Sequence, residues 1–395
     1  MLIGLVGKPS VGKSTFFKAS TLSDVAIAAY PFTTIKPNQG IGYVKVECID
    51  KEFKTQCMPK HGFCINHWRF VPVELMDVAG LVKGASEGKG LGNQFLDSLR
   101  EADCFIQIVD ISGTTDSEGK SVEKGGDPLE DVRMLETELD LWYLGILKKV
   151  WKGFAKTVQS SKENFYKAVA KQFSGLKVHE EHVRQAISKL KLNPERPVEW
   201  SEDDLLKFAH ELRHLSKPMI IAANKADKSS AKENIKRLMD EFPDYLIFPC
   251  SADSELALRE ASKAGLVEYI PGESDFKIKK DLTEKQKSAL DHIKKNVLDK
   301  YNGTGVQEIL NLAVFDLLKY LAIFPAGATK LADSKGNILP DCFLLPGKST
   351  ALDFAYFLHT DFGNNFIKAI DARSKRALGK DYILKNRDAL EIVTR

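Results

Sequence analysis

The chain has 395 residues, with 57 Lys and Arg against 54 Asp and Glu, so its net charge is +3 when the histidines are neutral. At roughly 100–200 residues per domain, this length predicts two or three domains. A hydrophobic content of 43% with 28% charged residues is typical of a globular chain rather than a disordered one. The near balance of charges excludes a uniformly basic nucleic-acid-binding protein, so any basic surface must be local.

The cysteine content and the amino terminus predict the cellular compartment of the protein. Six cysteines are too few for a disulfide scaffold. Residues 1–7 lack the basic region and the long apolar run of a secretory signal. No stretch approaches the roughly 18 consecutive apolar residues that a membrane-spanning helix needs. We therefore expect a reduced, cytoplasmic protein that binds no membrane.

Five short apolar segments predict the buried strands of a doubly wound α/β sheet, because each is followed by a turn-rich or helix-opening stretch. They cover residues 2–6, 71–76, 105–110, 219–223 and 246–249. A small α+β module is expected at the carboxyl end, where short apolar runs alternate with Pro and Gly.

More than 100 residues separate the third and fourth predicted strands, which is more than one crossover needs, so we expect an inserted subdomain. Phe165, Val169 and Phe173 recur every four residues and predict a helix, and a turn near Gly175 precedes a second one. The insertion is therefore predicted to be an antiparallel, coiled-coil-like helical arm. The predicted domains are 1–127 with 216–311, the arm at 128–215, and the carboxyl-terminal module at 312–395.

Residues 148–177 form a basic segment with eight lysines and a single acid, Glu163. The lysines are Lys148, Lys149, Lys152, Lys156, Lys162, Lys167, Lys171 and Lys177. Such a segment is either an RNA-binding surface or simply a solvated helix face, and the sequence leaves both interpretations open.

A phosphate-binding loop follows the first predicted strand. The stretch Gly7-Lys8-Pro9-Ser10-Val11-Gly12-Lys13-Ser14-Thr15 matches G-x-x-x-x-G-K-[ST]. Glycines let backbone N–H groups approach phosphate oxygens, and the following helix adds positive potential. Lys13 is expected at the β- and γ-phosphates and the Ser14 hydroxyl on Mg²⁺. The strand–loop–helix context favours phosphate binding over a fortuitous glycine turn.

Two further elements appear in the order that a nucleotide switch requires. Thr33 and Thr34 offer a hydroxyl and a backbone N–H for Mg²⁺ and the γ-phosphate. Asp77 begins a D-x-x-G motif at the end of a predicted strand, so it can hold the Mg²⁺ shell while the Gly80 amide senses the γ-phosphate. The predicted catalytic residues are Lys13, Thr34 and Gly80.

The motif Asn224-Lys225-Ala226-Asp227 predicts the choice of base. The Asp227 carboxylate can accept hydrogen bonds from N1–H and the exocyclic amine of guanine, whereas adenine would leave it unpaired. Asn224 can contact the purine or tie the base loop to the phosphate loop, and the Lys225 stem can cover the ring. A backbone amide at Ser251 or Ala252 can reach the guanine carbonyl. An isolated motif of this kind is often only a helix-starting turn, but behind a phosphate loop it favours GTP.

Together these residues resemble the Obg-like GTPases, specifically the YchF/Ola subgroup of translation-associated P-loop NTPases. The similarity is carried by residues 30–38, 77–85, 88–96 and 127–131, and by residues 352–361, which resemble a TGS domain, a ubiquitin-like β-grasp module. The resemblance implies a P-loop GTPase core, an inserted helical hairpin and a role in translation or stress control. It also implies association with ribosomes or other RNA through the basic arm and the TGS domain, and it assigns Thr34 as the switch threonine on Mg²⁺.

The chain departs from that family pattern in two places, and it differs from Ras-like switches in a third. Many members carry an altered base motif and use ATP, whereas this chain retains Asp227, so we predict GTP with ATP as the rival. Relatives that use K⁺ carry Asn where this chain has Ser10, so we expect no potassium dependence. Leu81 stands where Ras-like switches carry a water-orienting Gln, which predicts slow intrinsic hydrolysis that a partner accelerates. A nucleotide-gated RNA-binding module with incidental hydrolysis is the further alternative.

Two weaker constellations remain. Cys57, His61, Cys64 and His67 fall within eleven residues, with Cys48 upstream, but their spacing matches no standard zinc knuckle. We expect a polar hairpin loop with ordinary thiols rather than a structural zinc site. His359-Thr360-Asp361 is expected to form a turn and helix cap, not a catalytic group. No coiled-coil dimer seam is apparent, so a monomer is expected.

Overall fold

The computed structural model describes residues 1–21, 38–78, 80, 84, 99–116, 119–120, 122, 126–333 and 335–395. Within these ranges no helix combines the length and the apolar character needed to cross a membrane.

A mixed sheet forms the centre of the amino-terminal half of the fold. Among the described residues its strands are β1 (Leu2–Val6), β2 (Gln39–Glu47), β3 (Phe63–Ile65), β4 (Trp68–Asp77), β5 (Cys104–Asp110), β6 (Met219–Asn224) and β7 (Leu246–Pro249). They lie in the order β2-β4-β1-β5-β6-β7, with β3 also paired to β4. The strands β4, β1, β5, β6 and β7 are parallel, and β2 and β3 run antiparallel to β4. All five strands that the sequence predicted are confirmed.

The three central parallel strands are buried on both faces, which explains why they read as continuous apolar runs, whereas β7 is partly exposed. Every residue of β1, β5 and β6 is buried. On one face Ile3 and Leu5 pack with Phe16 of helix α1 (Lys13–Thr21). On the other face, Ile221 packs with Ile235 of helix α6 (Ala231–Glu241). The sheet is thus doubly wound, and the carboxyl ends of its parallel strands meet at one edge, where such folds bind ligands.

The insertion after β5 is helical, as predicted, but it contains four helices where the sequence indicated a simple hairpin. They are α2 (Pro128–Ser161), α3 (Phe165–Gln172), α4 (Glu180–Leu190) and α5 (Glu202–Ser216). The predicted stripe of Phe165, Val169 and Phe173 is buried, and the turn before α4 is present at Ser174–Leu176.

Helices α2 and α5 run antiparallel and are held by both ion pairs and aromatic packing. Lys148 pairs with Glu202 at 2.6 Å, and Asp140 pairs with Arg213 at 2.8 Å. In the second half of α2, Trp151 stacks on Trp200, which lies just before α5, with ring centroids 5.1 Å apart. The short helix α4 packs against α5 and closes this apolar core.

The segment after β7 lies on the side of the sheet that carries the predicted base-binding residues. Helix α7 (Ala252–Lys263) follows β7, and the short strands β8 (Val267–Glu268) and β9 (Lys277–Ile278) lead to helix α8 (Glu284–Ile293). Helix α8 continues through a wider turn at Lys294–Leu298 to Asp299–Tyr301. Helix α9 (Val306–Asn311) continues in the same way through Leu312–Leu317.

The carboxyl-terminal module has a β-grasp architecture. Its strands β10 (Tyr320–Pro325), β11 (Phe343–Pro346), β12 (Phe366–Asp371), β13 (Ala377–Leu378) and β14 (Ala389–Thr394) lie in the order β11-β10-β14-β12-β13. Helices α10 (Ala351–Leu358) and α11 (Thr360–Asn364) follow β11. A ring nitrogen of His359 accepts a hydrogen bond from the Asp361 amide at 3.1 Å, so the predicted helix-cap role of His359 is confirmed.

Candidate nucleotide-binding site

The phosphate loop between β1 and α1 has a backbone that requires glycine at two positions. Gly7 has φ of 145° and Gly12 has φ of 96°. A Cβ atom added at Gly7 would lie 2.5 Å from the Ile108 carbonyl oxygen, and one at Gly12 would lie 2.3 Å from Nδ2 of Asn224. Ser10 also has a positive φ, at 63°. The loop therefore curls tightly against β5 and β6, which leaves its backbone free to approach a phosphate closely.

Lys13, the first residue of α1, reaches back across the loop. Its ammonium donates a hydrogen bond to the Lys8 carbonyl oxygen at 2.7 Å. Burial lowers the pKa of Lys13 to about 8, and the charge of Asp77 opposes that shift. A triphosphate in the loop would supply the anionic partner that favours the protonated ammonium.

The two described residues that were predicted to hold Mg²⁺ lie side by side. Ser14 Oγ donates a hydrogen bond to Oδ2 of Asp77 at 2.8 Å. The parallel pairing of Leu5 with Asp77 places the end of β4 next to the start of α1. A hydroxyl and a carboxylate oxygen at this separation are ligands that Mg²⁺ accepts, with water and phosphate oxygens in its other positions. The donor set therefore fits the ion.

The D-x-x-G motif approaches the phosphate loop at its glycine. A Cβ atom at Gly80 would lie 2.8 Å from Pro9, so only a residue without a side chain fits against the loop at this point. Four residues later, the Gly84 amide donates a hydrogen bond to Oε1 of Glu138 at 2.6 Å. The predicted site residues Thr33 and Thr34, and Leu81 at the Gln position, lie outside the described residues.

The side chain of Lys8 contacts the inserted helix rather than the concave side of the loop. Its ammonium lies 2.8 Å from Oδ2 of Asp131 on α2 and donates to the Thr115 carbonyl oxygen at 3.0 Å. Burial raises the pKa of Asp131 to about 6, although Lys8 acts in the opposite direction. Sequence reasoning gave no role to Asp131 or to Glu138. Their spacing of seven residues on one helix face was the available signal.

Asn224, the last residue of β6, ties the phosphate loop to the base loops. Its Nδ2 donates to the Val11 carbonyl oxygen at 2.8 Å, and its Oδ1 accepts from the Ala252 amide at 3.0 Å. Of the two roles that the sequence allowed for Asn224, the structure has this tie between the loops. The neighbouring Lys225 has a left-handed φ of 63° and donates to Oδ2 of Asp110 at 2.8 Å, which fixes its aliphatic stem beside the site.

Asp227 faces a pocket of about 760 Å³, within the usual range for small-molecule sites. Its Oδ1 accepts a hydrogen bond from Ser251 Oγ at 3.1 Å, and its Oδ2 lies 3.2 Å from the Lys228 ammonium. Helix α8 forms the opposite wall. Polar side chains of both walls include Asp227, Lys228, Ser251, Ser254, Ser288 and His292. Of the predicted base-site residues, Asp227 and Ser251 line this cavity, whereas Asn224, Lys225 and Ala252 do not.

Comparisons with known proteins agree with this geometry. Three family models match the chain: "50S ribosome-binding GTPase" at residues 2–136, "Obg-like GTPase YGR210-like, G4 motif-containing domain" at residues 222–327, and "TGS domain" at residues 326–394. A GTP-binding protein of Methanocaldococcus jannaschii, described as uncharacterized, is 49% identical over 396 residues, which cover 100% of this chain and 99% of the relative. The chain belongs to the Obg-like GTPases.

Other relatives extend this assignment to the whole molecule. A crystal structure of a GTP-binding protein from Pyrococcus horikoshii OT3 matches with a TM-score of 0.80 and 41% identity, covering 100% of both chains. The ribosome-binding ATPase YchF of Bacillus subtilis is 28% identical over 419 residues, covering 98% of this chain and 97% of the relative. This Obg-like GTPase therefore combines the P-loop domain, the helical insertion and the TGS domain in the arrangement of the YchF subgroup.

Replacing Gly12 with Ala tests whether the loop geometry is required. We expect Gly12→Ala to destabilise the protein by about 2–4 kcal/mol, because the new methyl group would meet Asn224 at a strained φ. Nucleotide affinity should fall at least about tenfold, since the phosphate and base loops would move apart. Chemical unfolding and calorimetric titration with nucleotide would measure the two effects.

The matched control is Gly153→Ala on the surface of α2, where no atom lies within 4 Å of an added Cβ. This change should leave nucleotide affinity unchanged and raise stability by up to about 1 kcal/mol, because Ala favours the helix. Equal effects of the two substitutions would contradict the geometry assigned to Gly12.

Proposed function

We propose that this chain is a GTP-binding and GTP-hydrolysing molecular switch that uses Mg²⁺. The observation that supports guanine is the placement of Asp227 at the mouth of the cavity, with Ser251 hydrogen-bonded to one of its oxygens. A carboxylate fixed at this point can accept both hydrogens of the guanine edge. The amides of the adjacent Ser251 and Ala252 donate to the Thr304 carbonyl oxygen at 2.9 Å and to Asn224 Oδ1 at 3.0 Å, so they brace this loop beside the carboxylate.

ATP is the rival substrate, because the Bacillus subtilis relative is named a ribosome-binding ATPase. Adenine has no hydrogen at N1 and no 2-amine, so it would desolvate the Asp227 carboxylate without donating a hydrogen bond to it. Sites built around such a polar group discriminate by as much as roughly 10⁴-fold. The retained carboxylate therefore favours GTP for this chain.

A side-by-side calorimetric titration of GTP and ATP tests the base preference. We expect the wild-type protein to bind GTP at least about 100-fold more tightly than ATP, and Asp227→Asn to lose most of that difference. Asp253→Asn is the matched control, since Asp253 lines the same cavity but has no role in base reading. ATP bound by the wild-type protein as tightly as GTP would end the claim of guanine specificity.

The proposed chemistry at the phosphates depends on Lys13, Ser14, Asp77 and the Gly80 amide, with Thr34 completing the set. Ser14 and Asp77 would hold Mg²⁺, which supplies positive charge beside the phosphate oxygens when it is bound. Lys13 and the loop amides orient the triphosphate and stabilise the charge that develops on it. Lys13, Mg²⁺ and the loop amides supply no base, so they align the reaction without activating water.

We propose slow intrinsic hydrolysis, on the order of 10⁻² s⁻¹ or less, because Leu81 has no group that can orient the attacking water. Asp77→Ala should lower even this rate by about 100-fold or more, since one of the two described Mg²⁺ ligands is lost. Asp240→Ala, on the exposed face of α6, is the control and should have no effect. Phosphate release in multiple-turnover assays measures the rates; fast turnover by the purified wild-type protein would contradict this proposal.

A single helix links the nucleotide loops to the basic segment. Helix α2 has 34 residues and is therefore about 50 Å long. Its first turns contact the phosphate loop through Asp131 and Lys8, and the D-x-x-G region through Glu138 and Gly84. Its second half carries Lys148, Lys149, Lys152 and Lys156. We propose that nucleotide state is transmitted along α2 to this surface.

The basic segment and the TGS domain are the proposed contacts with ribosomal RNA. Lys149, Lys152 and Lys156 lie on one side of α2, are exposed, and have no carboxylate within 4 Å among the described residues. The TGS domain exposes aromatic side chains, including Tyr356 and Phe357. The Bacillus subtilis relative is a ribosome-binding ATPase by name, which supports a ribosomal partner. We propose on this basis that the protein acts in the cytoplasm, as a monomer.

Charge reversal tests the basic surface directly. The triple variant Lys149→Glu, Lys152→Glu, Lys156→Glu should weaken ribosome binding at least about tenfold and reduce the salt slope by about 2–3. The control reverses three lysines that are equally exposed on α6 and α7, Lys232, Lys236 and Lys263, and should change neither quantity much. Ribosome co-sedimentation at several salt concentrations measures both. If affinity and salt slope stay the same in the first variant, this surface does not bind RNA.

A further inference from the structure

A cluster of three thiols and one carboxylate lies where β2, β3 and β4 meet. Cys48 follows β2, Cys57 lies in the connecting loop, and Cys64 is the middle residue of β3. The Sγ atoms of Cys48 and Cys57 are 3.6 Å apart, and Sγ of Cys64 is 3.9 Å from Oδ2 of Asp50. The four ligand atoms all lie within 4.8 Å of one another.

These separations fit a metal ion better than a disulfide. With Zn–S bonds of about 2.3 Å, the sulfurs of a tetrahedral zinc site lie about 3.8 Å apart. The 3.6 Å between Cys48 and Cys57 is close to that edge and far from the roughly 2.05 Å of a disulfide bond. All six cysteines fall in the described part of the chain, and all are free thiols.

The surroundings of the carboxylate also fit a metal ligand. Asp50 is fully buried, and its Oδ2 accepts a hydrogen bond from the Cys57 amide at 3.0 Å. Its Oδ1 lies 2.9 Å from Nδ1 of His67. Ligating carboxylates are commonly held by such an outer hydrogen bond, which fixes the oxygen that faces the metal. A buried carboxylate beside three thiols can share a cation with them while these two partners hold it in place.

We propose that Cys48, Asp50, Cys57 and Cys64 bind one structural Zn²⁺ ion, with His67 orienting the Asp50 carboxylate. Three thiolates and a carboxylate supply four ligands, so the site is closed and leaves no position for a substrate. Three of the four ligand residues are buried and the fourth is partly so, which also favours a structural ion over a catalytic one.

The ligand set differs from the one that the linear spacing suggested. Spacing grouped Cys57 and Cys64 with His61 and His67, whereas the fold substitutes Cys48 and Asp50 for the two histidines. The reason is strand pairing. Glu47 of β2 lies opposite Trp68 of β4, and the Cys48 amide donates to the His67 carbonyl oxygen at 2.7 Å.

The proposed ion would fix the loop that docks the TGS domain. The Met58 amide donates to the Ile338 carbonyl oxygen at 2.8 Å, and the Lys60 amide donates to that of Pro340 at 2.9 Å. The Lys60 ammonium also pairs with Asp333 at 2.7 Å. Residues 48–62 contain only a short helical turn, so these contacts need another source of rigidity. A metal that joins both ends of the loop supplies it.

Metal analysis of the full-length protein tests the proposal. Protein expressed with added zinc and separated from free metal by gel filtration should carry about one Zn²⁺ per chain. Cys57→Ser and Cys64→Ser should each carry less than about 0.1, because two thiolates and a carboxylate hold the ion far more weakly. The matched control is Cys104→Ser, which places the same change in buried strand β5 and should retain about one Zn²⁺.

A second measurement keeps the test decisive if a cluster variant does not fold. Wild-type protein stripped with a chelator should bind one Co²⁺ and show the absorption of a cobalt–thiolate complex, as should Cys104→Ser. Chelation should also raise amide hydrogen exchange around residues 335–342 while GTP binding is retained. Wild-type protein that holds less than about 0.1 Zn²⁺ and gives no cobalt–thiolate absorption, or that forms a Cys48–Cys57 disulfide instead, would overturn the proposal.

Discussion

The Asn224 carboxamide is the constraint on which the nucleotide site depends. It is buried at the end of β6, and its two polar atoms bond to two different loops, one of them the phosphate loop. Parallel pairing brings β1, β6 and β7 to one edge, but strand register alone leaves the loops free to separate. The carboxamide fixes their distance, and Gly12 is needed because any side chain there would displace it. Affinity for a whole nucleotide requires both halves of the site to be held at once.

Much of the fold and of the phosphate site could be predicted from the sequence because their signals are local. Buried parallel strands appear as apolar runs, and the phosphate loop needs its glycines and Lys13 within a few residues of one another. Asp131 and Glu138 could not be assigned in this way. Their roles arise because α2 packs beside loops that are far from it in the chain. The sequence of a helix does not reveal which residues its polar face will contact.

The cluster of Cys48, Asp50, Cys57 and Cys64 also depends on contacts between segments that are separate in the sequence. Sequence spacing selected His61 and His67, since ligands that are close in the chain are the easiest to recognise. The fold instead brings Cys48 across from β2, and it uses His67 to hold a carboxylate. The number of thiols was informative, but the pairing of β2 with β4 decided which of them could meet.

The contacts on the two sides of the GTPase domain differ in kind, and this difference argues for the route of the nucleotide signal. Toward the TGS domain, the buried Arg69 guanidinium donates to the carbonyl oxygens of Leu339 and Pro340 at 3.1 and 2.7 Å, far from the phosphate loop in sequence. Toward the insertion, Lys8 and Gly84 of the nucleotide loops themselves bond to α2. A rearrangement of those loops must therefore alter the support of α2 directly, whereas the TGS interface contains no described residue of the nucleotide motifs. In the switch that we propose, a change of nucleotide therefore reaches the lysines of α2 by this direct route, whereas the TGS domain has no such contact among the described residues.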